Sequence, residues 1–128
     1  IELASPRIDH SITLLRRLRG NGVPVFALTN FGDDAFAHAQ TQYEFLNEFD
    51  RSYVSGRMGV TKPSPAIFAQ VEADCGLAPA ALLFTDDRAD NIATAMVRGW
   101  QTHHFTTPQG WAARLVQAGL LTEQEAQA

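Results

Sequence analysis

Residues 82–95 read LLFTDDRADNIATA. Three apolar residues run into Thr85 and then into two adjacent carboxylates, Asp86 and Asp87. A third acid, Asp90, and an amide, Asn91, follow before an Ala-rich apolar pattern resumes. The apolar run reads as a short buried strand over 81–85, and the pattern after it as a helix closing at Gly99. Two like charges side by side are costly unless a cation or several donors offset them. The end of this strand is therefore the place to look for a charged ligand.

The same alternation recurs on both sides of it. SPRIDHSITLLRRLRGNG reads as a helix, with Ile8, Ile12, Leu15 and Leu18 on one face and Arg16, Arg17 and Arg19 on the other. Gly20-Asn21-Gly22 ends it. VPVFAL (23–28) is a strand, and TNFGDD is a loop that starts a helix. AFAHAQTQYEFLNEF is helical, with Phe36, Ala39, Tyr43 and either Phe45 or Leu46 facing in. SYVSG (52–56) is a second strand. Ser64 caps a helix with Pro65 in its first turn, running to Asp74 and closed by Gly76. QTHHF (101–105) is the last strand, with one of His103 and His104 facing the core. Thr107 and Pro108 start a helix to Gly119, and the tail LLTEQEAQA adds a short helix that frays. The order αβαβαβαβα predicts an α/β, Rossmann-like parallel sheet with helices on both faces.

In such a sheet ligands bind beyond the carboxyl ends of the strands. The residues there are Thr29 and Asn30, then Ser55, Gly56 and Lys62, then Asp86 and Asp87, then Thr106 and Thr107. A hydroxyl, an amide, an ammonium and a carboxylate pair suit a phosphate ester with Mg²⁺, which prefers hard oxygen ligands. Each residue also has a plainer reading. Thr29-Asn30 alone reads as a helix cap, and Lys62 as a solvated loop charge. Asp86-Asp87 reads equally well as a cap followed by a first-turn acid, and Asp90 as a surface charge. Cys75 reads as packing. What favours the site is the joint pattern at the strand ends.

Composition sets the outer limits. Hydrophobic residues make up 45% of the 128, which suits a globular chain. Ten basic and fourteen acidic residues leave a net charge of −4, which argues against a nucleic-acid surface. The apolar runs are too short for a transmembrane helix, so no membrane partner is expected. One cysteine and no visible signal peptide fit the cytoplasm. The start at IEL, without Met, agrees with processing or with missing upstream sequence.

These motifs resemble the haloacid dehalogenase-like hydrolase superfamily, in its helical-cap branch. FALTNF is similar to that family's second motif, which implies Thr29 as phosphate binder with Asn30 beside it. YVSGRMGVTKPSPAIF resembles the third, with Lys62 as the cation. LLFTDDRADNIATA resembles the fourth, in its DDxxxN form. It implies Asp87 as the direct Mg²⁺ ligand, Asp86 as an acid supporting the metal's shell, and Asn91 as an orienting residue. The implied activity is a Mg²⁺-dependent phosphatase of small phosphorylated metabolites, working through an aspartyl-phosphate.

One departure bears on mechanism. The family's first motif, DxDx[TV], supplies the nucleophile, and no DxD occurs in the chain. Asp9 follows no strand and does not replace it. The cap that chooses the substrate is missing too. The chain thus reads as one partial domain, residues 1–128, lacking the central strand that the family places between the first and third strands found here. Three repairs are open: direct closure of those strands, a segment of a neighbouring chain, or an upstream polypeptide. By itself the chain is expected to be inactive. A 2-haloacid dehalogenase, which needs no metal, fits the double acid less well. A receiver-like signalling module has its acid pair first, not last. A non-catalytic domain serving a partner remains open.

Overall fold

The computed structural model describes residues 6–127, with side chains from Asp9 onward. The expected start of the first helix at Ser5, and the side chain of Ile8, lie outside the described residues. The elements are α1 (Pro6–Gly20), β1 (Phe26–Thr29), α2 (Asp33–Gln42), β2 (Arg51–Val54), α3 (Ser55–Met58), α4 (Pro65–Cys75), β3 (Leu83–Asp86), α5 (Ala89–Val97), β4 (Gln101–His104) and α6 (Pro108–Gln117). The alternating order and the α/β class are as expected.

The chain falls into two compact units. One comprises 26–104 and contains all four strands; the other comprises 1–25 with 105–128. In the strand-bearing unit every ladder is parallel. β1 pairs with β2 from Phe26↔Arg51 to Thr29↔Val54, and β3 pairs with β4 from Leu83↔Gln101 to Asp86↔His104. Among the described residues β1 and β3 do not pair, so the strands form two separate two-stranded ladders. Direct closure, the first of the three repairs, does not occur.

The core of this unit gathers Tyr53, Ile67, Phe68, Val71, Leu82, Phe84, Ile92, Ala95 and Trp100. Phe68, Phe84 and Trp100 meet edge to face, with ring centroids 5.2–5.9 Å apart. Beside them Glu72 takes two N–H bonds from Arg98 and one from the Trp100 indole, which fixes α4 against the end of α5. In the other unit α1 and α6 pack together, with Leu14, Leu15, Leu18, Ala112 and Leu115 buried.

Local chemistry moves several boundaries. The helix expected through Phe49 stops at Gln42. The Thr41 hydroxyl bonds the His38 carbonyl, Tyr43 is extended, and only a 3₁₀ turn, Glu44–Asn47, follows. Of the expected inward residues of that stretch only Phe36 is fully buried. The second strand stops at Val54, because Ser55 and Gly56 turn into α3. The third starts at Leu83 after a 3₁₀ turn at Pro79–Ala81, so Asp86 lies inside it. Caps at Ser64 and Thr107 form as read, and Gly76 closes α4 with φ +70°. His103 is half-buried and His104 exposed.

The tail differs from expectation. It is a turn rather than a helix, held by reciprocal Thr122 and Glu125 side-chain-to-backbone bonds. It is also tied to α1: Arg17 donates to the carbonyls of Glu125 and Gln127, and His10 Nε2 donates to Ala126 at 3.2 Å.

Candidate active site

The site is built from the ends of β1 and β3 and the loop before α4. Asn30, the first residue beyond β1, clamps the Lys62 peptide. Its Oδ1 accepts the Lys62 N–H at 2.8 Å and its Nδ2 donates to the Lys62 carbonyl at 3.0 Å. The Lys62 backbone is thereby held while its side chain reaches across. Lys62 Nζ donates to Asp86 Oδ2 at 2.6 Å and lies 5.8 Å from the centre of the Phe84 ring. The two side chains are only 10% and 7% exposed, so this is a shielded ion pair.

Asp86 is heavily engaged. Besides Lys62, its Oδ2 accepts Asn91 Nδ2 at 3.2 Å, and its Oδ1 accepts the Arg88 N–H at 2.8 Å. Burial alone pushes the Asp86 carboxyl up. The Lys62 ammonium, the Arg88 N–H and the Asn91 amide outweigh burial and hold it below the ordinary carboxylate range. Asn91 is 2% exposed, and its Oδ1 is buried without a hydrogen-bond partner among the described residues, as is Thr85 Oγ1 one residue before Asp86. On the far side of the loop Thr94 Oγ1 bonds the Pro63 carbonyl at 3.0 Å, which secures the segment after Lys62 to α5.

Asp87 is the opposite case. It is exposed, its carbonyl accepts from His104 Nε2 at 2.8 Å, and its carboxylate makes no hydrogen bond or ion pair among the described residues. Thr29 ends β1 half-buried, its hydroxyl also without a partner among those residues. Four of the sequence-predicted residues, Asn30, Lys62, Asp86 and Asn91, thus form one hydrogen-bonded chain. Thr29 stands next to it in sequence, and so does Asp87. Thr107 serves as the cap of α6, accepting the Gly110 N–H at 3.0 Å. Asp90 is exposed and paired with Arg88, as a surface charge should be.

Sequence reading missed the latch behind Asn30. Ser55 Oγ accepts the Phe31 N–H at 2.9 Å and donates to the Phe31 carbonyl at 3.1 Å, while Gly56 N–H donates to the same carbonyl at 2.9 Å. A Cβ on Gly56 would lie 2.5 Å from Asp33 N and 2.9 Å from Phe31 O. Only glycine allows this approach. The signal was a Ser-Gly pair at a strand end, which says nothing of its partner 24 residues earlier.

The model of the haloacid dehalogenase-like hydrolases matches residues 1–96. The chain belongs to this family. It is 29% identical over 94 residues to a sesquiterpene phosphatase of Aspergillus oryzae, covering 73% of this chain and 48% of that protein. It is 34% identical over 71 residues to a D-ribitol-5-phosphate phosphatase of Bacteroides thetaiotaomicron, covering 55% of this chain and 34% of that one. A haloacid dehalogenase family enzyme of Bacteroides thetaiotaomicron, solved with magnesium and inorganic phosphate, superposes with a TM-score of 0.69 at 28% identity, covering 77% of this chain and 52% of that one. The chain spans about half the length, or less, of these curated relatives.

As a metal site, the family constellation here is lean. Among the described residues no group of three or more His, Cys, Asp or Glu side chains converges. Asp86 already serves three donors, which leaves Asp87 as the free carboxylate at the end of β3. One hard oxygen suits Mg²⁺, which takes one or two carboxylates and fills its shell with water and phosphate.

Proposed function

We propose that the protein carrying this chain is a Mg²⁺-dependent phosphatase of small phosphorylated metabolites. In this reading the chain supplies phosphate-binding and metal-binding groups, and the nucleophilic aspartate comes from elsewhere. The observation that carries it is the Asn30–Lys62–Asp86–Asn91 chain of hydrogen bonds, with an unengaged Asp87 carboxylate beside it. The two phosphatases among its relatives agree with it.

Each residue has a distinct task. Thr29 donates its hydroxyl to a phosphate oxygen, with the N–H of Asn30 next to it. The Asn30 carboxamide sets the position of Lys62. Lys62 presents its two remaining N–H bonds to the transferring phosphoryl group, where charge stabilisation and positioning dominate catalysis. Asp86 holds that ammonium in place, and Asn91 in turn holds Asp86. Asp87 would hold Mg²⁺, which when bound neutralises phosphate charge.

The reading also requires a completed sheet. β1 and β3 each have one neighbour among the described residues, and an open strand edge invites another strand. Thr85 Oγ1 and Asn91 Oδ1, buried at β3 and α5 without partners among the described residues, are the kind of atoms that a further neighbour satisfies. An upstream segment, or a second chain, would enter between β1 and β3 and carry the nucleophile. The lone Cys75 fits action in the reducing cytoplasm. No described helix is long and apolar enough to cross a membrane.

The test is hydrolysis of p-nitrophenyl phosphate by the intact protein with and without Mg²⁺. Mg²⁺-dependent release that Asp87→Ala abolishes is expected. Undiminished Mg²⁺-dependent turnover in that variant rejects the metal assignment.

A further inference from the structure

Phe31 follows Asn30 directly, and it is the one aromatic among the exposed large apolar side chains of the described residues, at 38%. Exposed aromatic rings are ordinarily free to swing. This one is held. Its N–H and carbonyl are bound by Ser55 and Gly56, and its ring forms a T-shaped pair with Phe36, centroids 6.0 Å apart. Phe36 is itself 2% exposed, with the Arg57 guanidinium 5.3 Å from its ring centre. An apolar surface presented to water on a fixed backbone, one residue from the group that clamps Lys62, carries a reduced ordering cost when it meets a ligand.

The polar groups around it point the same way. The Asn30 carboxamide is bonded to the Lys62 peptide, and Asp33 is paired with Arg57 at 2.6 Å. A hydroxyl-rich leaving group would find these partners engaged. An apolar one would gain contact with the exposed part of Phe31. We infer that Phe31 is a specificity-determining residue that favours phosphate esters of apolar alcohols over those of polyols. The inference rests on the phosphate-ester reading of the adjacent site.

Binding tests it without requiring turnover. Octylphosphonate and methylphosphonate, each with Mg²⁺, are titrated calorimetrically into the intact protein and into its Phe31→Ala and Phe31→Leu variants. Octylphosphonate is expected to bind about tenfold tighter than methylphosphonate, the usual scale of discrimination by an apolar contact. Phe31→Ala should remove most of that ratio and Phe31→Leu should retain it. Equal affinities, a ratio unchanged in Phe31→Ala, or no binding of either phosphonate overturns the inference. Hydrolysis of p-nitrophenyl phosphate by the same sample separates the two claims. Turnover without an octyl preference keeps the phosphatase and rejects Phe31. An octyl preference lost in Phe31→Ala, without turnover, does the reverse.

Discussion

The two ladders are built alike and stabilised differently. β3–β4 rests on the aromatic cluster of Phe68, Phe84 and Trp100, with Phe84 8% exposed. In the other ladder β2 gives Tyr53 and Val54 to the core, but β1 has no fully buried residue; all four of its positions are half-buried. Its carboxyl end is held by polar latches instead, from Ser55 and Gly56 to Phe31 and from Asn30 to Lys62. The packed ladder carries the shielded acid, and the latched one carries the hydroxyl and the exposed ring. Precision at a strand end can come from a core behind the strand or from hydrogen bonds between the loops that follow it.

That contrast can be broken from either side. The largest effect belongs to the packed ladder: Phe68→Ala should cost about 3–5 kcal/mol, read from urea or thermal unfolding. A change below about 1 kcal/mol would show that the aromatic cluster does not support β3. Next is Asp86→Ala, which leaves the Lys62 ammonium shielded and uncompensated, at about 3 kcal/mol. It carries a pH signature. The folded Asp86 carboxyl lies below its ordinary value, so its contribution is complete above about pH 4 and is lost as pH falls through the folded value. Unfolding measured from pH 7 to 3 should therefore fall less steeply in the variant than in the wild type. An equal slope would mean that the pair with Lys62 does not form in solution.

The latched ladder should give smaller effects. Gly56→Ala forces the 31–33 loop away from α3 and should cost about 2 kcal/mol, with a weaker affinity for phosphonates. Stability lost without any change in affinity would separate the latch from the site. The smallest belongs to Arg57→Met, whose pair with Asp33 is 39% and 59% exposed and should contribute under about 1 kcal/mol. A larger loss would show that the stacking of Arg57 on Phe36 matters more than its charge.

Much of this was legible in the chain. Residues 82–95 announced a strand ending in acids, the apolar run before Thr29 placed that hydroxyl at a strand end, and Lys62 was read a few residues beyond the second strand. Periodicity and caps are local, so Ser64, Gly76 and Thr107 were readable one by one. The stop of α2 at Gln42 was not, because Thr41 competes for the His38 carbonyl through its own side chain. Nor was the tail's attachment to α1, which joins Arg17 to carbonyls more than a hundred residues away.

The sequence by itself determined which chemistry is available: a hydroxyl at Thr29, an ammonium at Lys62, and two carboxylates where β3 ends. Tertiary structure alone decided how the two acids divide. Asp86 and Asp87 are identical residues with adjacent numbers. Asp86, the last residue of β3, meets Lys62 and Asn91 in a shielded pair, while Asp87 lies in the bend beyond the strand and is exposed. Which is which depends on the contacts that orient β3, and these come from residues far apart along the chain.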